Sequence, residues 1–275
     1  NGVINVGQMA VDGTVALTTN GNGAATIVND AGLNFAASTV TGALTATATT
    51  GNITDTGALT ITGTTTLVTS ANDATISLDT TTNAFTGAVT ITTNDASGTD
   101  ADVTIDGGTT ALDIAASTID GDLTLTSGHA SGITDSGTVT VGGNFSATTD
   151  ANNGVINMGS MAVDGTVALT TNGNGAATVV NDAGVNFAAS TVTGALTATA
   201  TTGNIGKSRI VLSISAWRQS LRSKPERVII LAAATFLAST LICSLLSLSL
   251  EVSLWGEIPG QDSYSAYTII CYVVA

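Results

Sequence analysis

Alternation of apolar and small polar residues is the dominant pattern of the first three quarters of the chain. It is clearest in six short segments: TVALT (14–18), ALTIT (58–62), AVTIT (88–92), DVTID (102–106), DLTLT (122–126) and TVTVG (138–142). A period of two puts the aliphatic side chains on one face of an extended strand and the hydroxyls on the other. Gly, Asn and Asp cluster between the segments, as expected of turns. The pattern predicts an all-β chain of short strands.

The sequence also repeats itself at two levels. Residues 1–53 return at 153–205 with four changes, which are Val6 to Met158, Gln8 to Ser160, Ile27 to Val179 and Leu33 to Val185. A shorter similarity links the first copy to the residues between the two copies: STVTGALT at 38 resembles STIDGDLT at 117, and ITDTG at 53 resembles ITDSG at 133. Repetition of this kind is typical of arrays whose units stack on their neighbours. We predict a parallel β-solenoid with roughly 20 residues per coil and about ten coils. A β-sandwich is the alternative, but no segment suggests a closing strand.

Charge divides the chain at residue 205. Residues 1–205 contain 16 Asp and no Lys, Arg, Glu, Pro, Cys, Trp or Tyr, whereas residues 206–275 contain all six basic residues and four acidic ones. Binding of nucleic acid relies on Lys and Arg at the phosphates, so the acidic part excludes a nucleic-acid partner. The same deficit argues against attachment of this part to anionic lipid.

Two strings give residues 1–205 a family resemblance. GALTATATTGNITDTGALTITGTTTL and STIDGDLTLTSGHASGITDSGTVTV resemble the Thr- and Gly-rich strand repeats of filamentous-haemagglutinin-like bacterial surface proteins. The resemblance implies a right-handed parallel β-helix, export to the cell surface or beyond, and a role in adhesion or as a surface stalk. Host or cell-surface glycans or proteins would then be the partners. No binding residue is implied.

Catalytic groups are scarce in residues 1–205. His129 is the only histidine and lies in the turn SGHASG, and no Cys precedes residue 206. A nucleophile–histidine pair therefore lacks one member. Clustered carboxylates could act on an acidic polysaccharide, and the candidates are Asp120 with Asp122, or Asp100 with Asp102 and Asp106. Such a polyanionic substrate would need basic residues to hold it, and residues 1–205 contain none. We predict that the repeat is not an enzyme and has no catalytic or cofactor-binding residues.

Two surface functions remain as alternatives. Asp100, Asp102 and Asp106 in TDADVTIDGG offer the hard oxygen ligands that Ca²⁺ prefers, although their spacing fits neither an EF-hand nor a calcium β-roll. Solvated turn acids are the competing interpretation. Outward Thr rows such as TATATT (45–50) suggest the flat threonine arrays of ice-binding solenoids, but their spacing along the sequence is irregular. Hydroxyls that simply face water are the simpler interpretation.

The remaining residues predict membrane segments. Residues 206–227 form a basic juxtamembrane segment, and residues 228–250 contain no charge. At about 1.5 Å per residue these uncharged residues span roughly 35 Å as a helix, enough to cross a lipid bilayer. The positive-inside rule puts the basic side in the cytoplasm, with the span in an inner membrane. The apolar residues 264–275 are predicted to begin a second membrane span.

This tail carries a second resemblance. SLWG at 253–256 and GQ at 260–261, within the string that ends the chain, are similar to the first membrane spans and first outer loop of O-antigen ligase-like membrane proteins. That family transfers or polymerises lipid-linked glycans. Its functional residues lie in later loops, so the resemblance assigns no catalytic residue here.

The two halves predict opposite locations. A surface solenoid must lie outside the cell, whereas the basic residues of the tail place everything before residue 228 inside. We therefore predict a non-enzymatic structural or adhesion-type repeat in a fragment or chimera, with the two parts joined near residues 205 and 206. The alternatives are an amino-terminal fragment of a ligase-like membrane protein, and a membrane-tethered acidic solenoid with an ice- or calcium-binding surface.

Overall fold

The structure is a computed structural model that describes residues 1–95, 100–207, 210–212, 251–257 and 264–270. The chain divides into two compact units, Asn1–Ser215 and Ala216–Ala275. The first unit is a parallel β-solenoid of about nine turns. The predicted all-β parallel solenoid is thereby confirmed for this part of the chain.

Two long sheets form the faces of the solenoid, and each turn of the chain crosses both. The first sheet contains β1 (Ile4–Met9), β3 (Ala25–Asn29), β6 (Leu44–Ala48), β9 (Thr65–Asn72), β12 (Val89–Asn94), β14 (Leu112–Ile114), β15 (Ser117–Ile119), β17 (Ile133–Asp135), β18 (Val139–Val141), β20 (Ile156–Val163), β22 (Ala177–Asn181) and β25 (Leu196–Ala200).

The second sheet contains β2 (Thr14–Val15), β4 (Leu33–Phe35), β7 (Ile53–Asp55), β10 (Ile76–Leu78), β13 (Val103–Asp106), β16 (Leu123–Ser127), β19 (Phe145–Asn152), β21 (Thr166–Asn172), β23 (Val185–Phe187), β24 (Ser190–Val192), β26 (Ile205–Lys207) and β27 (Ile210–Leu212). A third, three-stranded sheet contains β5 (Ser38–Val40), β8 (Leu59–Ile61) and β11 (Ala84–Phe85).

The length of one turn varies along the solenoid. Ala25 pairs with Leu44, so that turn takes 19 residues, whereas Ile76 pairs with Val103, which takes 27. The predicted value of about 20 therefore describes most turns but not the central ones.

The core is a single apolar column inside the turns. Within most strands the burial alternates, as in Leu44–Ala48, because only every second side chain points inward. The four phenylalanines of residues 1–205 are the largest buried side chains, each at most 1% exposed: Phe35, Phe85, Phe145 and Phe187. The aliphatic residues between them belong to the same cluster, so the core continues from turn to turn.

Buried polar side chains hydrogen-bond to the backbone at the corners of the turns. Asn181 donates from Nδ2 to the carbonyls of Val163 and Gly184 and accepts the N–H of Val163, and Asn29 makes the equivalent bonds in the first copy. The motif AAST occurs three times, and its serine hydroxyl each time donates to the carbonyl two residues earlier and accepts an N–H from the preceding turn. These side chains satisfy backbone groups that the ladder leaves unpaired.

Related motifs occupy different sheets. STVTGALT begins with β5 in the three-stranded sheet, whereas STIDGDLT begins with β15 in the first sheet. In the same way, ITDTG contains β7 of the second sheet and ITDSG contains β17 of the first. The shorter repeat therefore returns on another face of the solenoid rather than at the same place.

The stacked turns explain two of the four differences between the long repeats. Val6 is 40% exposed on β1, whereas its counterpart Met158 is fully buried, because β17 pairs with β20 on that side. Ser160, which replaces Gln8, lies 3.0 Å from Thr138 between hydroxyl oxygens. The other two pairs are aliphatic and buried in both copies.

The membrane segments lie largely outside the described residues. Residues 228–250, the predicted span, are not among them. Part of the predicted second span is described and is a strand rather than a helix, since β28 (Glu251–Glu257) pairs antiparallel with β29 (Tyr264–Ile270). None of the described residues is helical, and the described part contains no helix able to cross a membrane.

The solenoid pairing continues past the end of the long repeat. β26 pairs with β23, and β27 with β24, both in parallel. Residues 205–207 and 210–212 therefore add strands to the second sheet. The chimera hypothesis, with its boundary at 205 and 206, stays a prediction.

Candidate functional site

The three proposed calcium ligands lie at the two ends of one strand, β13. Asp100 precedes the strand, and its carbonyl accepts the N–H of Asp102. The Asp102 carboxylate accepts the N–H of Asp122 at 2.7 Å, and that of Asp106 accepts the N–H of Gly108 at 2.7 Å. In the described part of the chain, no group of three or more acidic, His or Cys side chains could hold a metal ion. The structure thus does not bring these three carboxylates together, and calcium binding stays a prediction.

Asp102 belongs instead to a ladder of turn side chains. The Oδ1 of Asp102 accepts the N–H of Asp122, and the Oδ1 of Asp122 accepts the N–H of Asn144. The Oδ1 of Asn144 accepts both the N–H and the hydroxyl of Thr166, at 2.9 and 2.7 Å. Each side chain therefore hydrogen-bonds to the backbone of the next turn along the chain.

The glycines of this ladder are required by close packing. A Cβ on Gly143 would lie 2.8 Å from the carbonyl oxygen of Gly121, and one on Gly165 would lie even closer to the carbonyl oxygen of Gly143. Contacts that short do not occur, so only glycine lets one turn approach the next at these positions.

The residues considered for catalysis are also engaged in turns. His129 is exposed, and its Nδ1 accepts the N–H of Ser131 at 3.0 Å. The Asp120 carboxylate accepts the N–H of Asp95, and Asp122 lies in the ladder described above. The predicted turn position of His129 is correct, whereas Asp122 was predicted to begin a strand and lies just before β16. The N–H groups that these side chains accept could not be inferred from the sequence.

Asp135 and Asp55 have roles that the sequence did not suggest. Asp135 accepts the N–H groups of Gly159 and Ser160 with its two oxygens, at 2.7 and 2.6 Å, where β20 bulges. Asp55 accepts the side-chain amide of Asn83 with Oδ2. Both come from the ITD motif, so the same motif uses its carboxylate differently on the two faces.

The surroundings of the Asp106 carboxyl change its acidity. Burial raises its pKa above the ordinary value near 3.8, and the N–H of Gly108 partly opposes this. The negative charges of Asp150, Asp79 and Asp55 raise the pKa further. The four acids lie in or directly after β7, β10, β13 and β19 of the second sheet, so the stacking itself brings like charges together.

Asp106→Asn is therefore expected to stabilise the solenoid at neutral pH. A raised folded-state pKa means that ionisation costs folding free energy, and this cost is present above the folded pKa and vanishes below the ordinary value. Asn keeps an oxygen to accept the Gly108 N–H. We expect the melting temperature of the variant to exceed that of the wild type at pH 7 and to match it near pH 3, and a thermal melt at each pH measures this.

Asp12→Asn is the matched control for that prediction, because Asp12 is exposed and its loss changes the net charge equally. An equal rise in melting temperature for both variants would show that net charge, not the surroundings of Asp106, is responsible.

An open groove of about 440 Å³ lies near the end of the described solenoid. Its lining is mainly Gly, Ala, Val and Asn, and Asp164 is the only ionisable residue in it: the lining residues are Val163, Asp164, Gly165, Thr166, Ala183, Gly184, Val185, Asn186, Asn204 and Gly206. A single carboxylate without a partner acid or base supplies no catalytic pair.

Threonines on the first sheet form regular columns that the sequence did not reveal. Thr26 pairs with Thr45, Thr45 with Thr66, and Thr66 with Thr90. In the adjacent column Val28, Thr47, Val68 and Thr92 pair in the same order. Turn lengths differ, so the threonines look irregular along the sequence but align in the sheet. We call these eight residues the threonine face.

Comparison with known proteins shows similarity to one family. A family model described as repeats of unknown function (DUF5649) matches residues 22–92 and 100–157, which lie within the solenoid. No curated protein and no solved structure matches the chain. The chain is thus a repeat protein similar to that family over less than half its length.

Proposed function

We propose that residues 1–207 act as a non-enzymatic structural repeat, a stalk-like segment of an adhesion-type bacterial surface protein. One observation supports this above all. The polar side chains of the turns hydrogen-bond to adjacent turns, as in the ladder from Asp102 to Thr166, so they serve stacking rather than a ligand. At about 4.8 Å per turn, nine turns give a rod of roughly 43 Å.

The finer features of this proposal rest on the resemblances. Right-handed coiling is favoured because crossovers between parallel strands are right-handed in about 98% of cases. The haemagglutinin-like resemblance suggests adhesion, with surface glycans or proteins as partners and the repeat outside the cell. Residues 228–250 would contact the lipid bilayer of the inner membrane. The ligase-like alternative has no further observation in its favour.

Antibody labelling of cells tests the location. An antibody raised against residues 1–205 is expected to label intact cells as strongly as permeabilised ones. Labelling that requires permeabilisation would place the repeat inside and refute the proposed surface role. A cytoplasmic protein labelled in parallel checks that the intact cells are sealed.

Mass spectrometry of the native protein tests the chimera hypothesis separately. A peptide that spans Asn204 to Arg209 would show that the two parts belong to one polypeptide. Recovery of peptides from both flanking regions without this spanning peptide would support the chimera hypothesis.

A further inference from the structure

The threonine face is a two-dimensional array rather than a single row. Adjacent turns lie about 4.7–4.9 Å apart, and residues two apart on one strand lie about 6.6–6.8 Å apart. Over four turns, Thr26, Thr45, Thr66 and Thr90 fill one column without interruption. The second column alternates Val28, Thr47, Val68 and Thr92, and Val has nearly the shape of Thr.

The hydroxyls of this face are available to solvent. The six threonines are partly or largely exposed, and none of their hydroxyls hydrogen-bonds to another protein group within the described residues. Other threonines differ: Thr19, for example, is buried and donates to the carbonyl of Gly23. A β-branched side chain on a strand has restricted χ1, so hydroxyl and methyl positions repeat from turn to turn.

The chemistry of the face limits its partners. It carries no charge, and residues 1–205 contain no Arg, Trp or Tyr, the side chains that usually anchor protein interfaces. Without aromatic rings or basic groups the face also lacks the usual means of stacking on sugars or holding polyanions. A periodic, neutral array of hydroxyls and methyls matches a partner that is itself periodic and neutral. Ordered water is such a partner.

We propose that the threonine face binds a layer of ordered water and, through it, the surface of ice. The hydroxyls hydrogen-bond to waters at regular intervals, and the methyls of Thr and Val fill the spaces between those waters. The inference goes beyond the structural role and does not depend on it, because a stalk needs no such face.

The test uses the purified full chain in detergent, with the same detergent buffer as the baseline. We expect a gap between melting and freezing temperatures and a slower recrystallisation of ice. The variant Thr45→Lys/Thr47→Lys should lose both effects, because two long charged side chains interrupt the array at its centre. Circular dichroism confirms that the variant is folded.

Thr124→Lys/Thr126→Lys is the matched control. Both residues are outward and partly exposed on β16 of the second sheet, with the same spacing. This variant should keep the activity of the wild type. A wild-type chain without either effect, or equal loss in both variants, would overturn the assignment. Antibody labelling of cells is unaffected by these outcomes, so the two proposals fail separately.

Discussion

Deletion of residues 46–66 is expected to leave a folded solenoid that is one turn shorter. Ala46 pairs with Leu67, so the deletion removes one complete turn and joins Thr45 to Leu67 within a strand. In the joined strand Leu44 and Leu67 still point inward and Thr45 still points outward. In a stacked array each turn contacts only its neighbours, so a missing turn costs stability but not the fold.

Deletion of residues 46–65, one residue fewer, is expected to be much more damaging. It joins Thr45 to Thr66, so Leu67 turns outward and Thr66 turns inward. Loss of Leu67 burial costs about 1.5–3 kcal/mol, and an unpaired buried hydroxyl costs about 1–3 kcal/mol. The free energy of unfolding of the 46–65 deletion should therefore be about 2.5–6 kcal/mol lower than that of the 46–66 deletion, and chemical denaturation measures the difference. Equal stability of the two variants would show that the turns do not hold this register.

The solenoid architecture could be predicted from the sequence because strands and repeats are recognised from residues that are close together in the chain. Alternation within segments such as DLTLT identifies strands, and all six predicted segments contain or overlap observed strands. The near-identity of residues 1–53 and 153–205 indicates stacking, and the stacked turns bury Met158 where Val6 is exposed. Both signals are properties of a few neighbouring residues, so neither needs the register of distant turns.

The candidate sites could not be predicted in the same way, because they depend on register between turns. Thr45 and Thr66 are neighbours only because the turn between them has the right length. Asp135 supports the bulge of β20 from one turn away, more than 20 residues earlier in the chain. Turns that vary from 19 to 27 residues hide such neighbours from inspection of the sequence.

The buried asparagines show the same limit. Asn29 and Asn181 follow aliphatic strands and precede Asp, so they resemble ordinary turn residues. In the structure both are fully buried and hold a backbone segment 18 residues earlier. The same Asn occurs at the equivalent position of both copies, which was the available signal. However, the exposed Asn residues nearby are repeated as well, so repetition does not identify the buried one.

Phe145→Ala is expected to cause the largest loss of stability among single substitutions considered for the solenoid. Phe145 is fully buried in β19 and pairs with Leu123 on one side and Val167 on the other. The core is one turn wide, so few side chains can move to fill the space that the ring leaves. Truncation of a buried Phe costs about 3–5 kcal/mol, and chemical denaturation measures it.

Ser146→Ala is the control for this substitution, since Ser146 is adjacent, faces outward and should change stability by less than about 0.5 kcal/mol. Because each turn is stabilised mainly by its neighbours, the damage should be greatest near the substitution. Hydrogen exchange should accelerate most in β16, β19 and β21, and less in β3 and β6. Uniform acceleration along the whole solenoid would show that the stack unfolds as a single unit. A loss in the free energy of unfolding of Phe145→Ala below about 1 kcal/mol would show that the core can collapse around the missing ring.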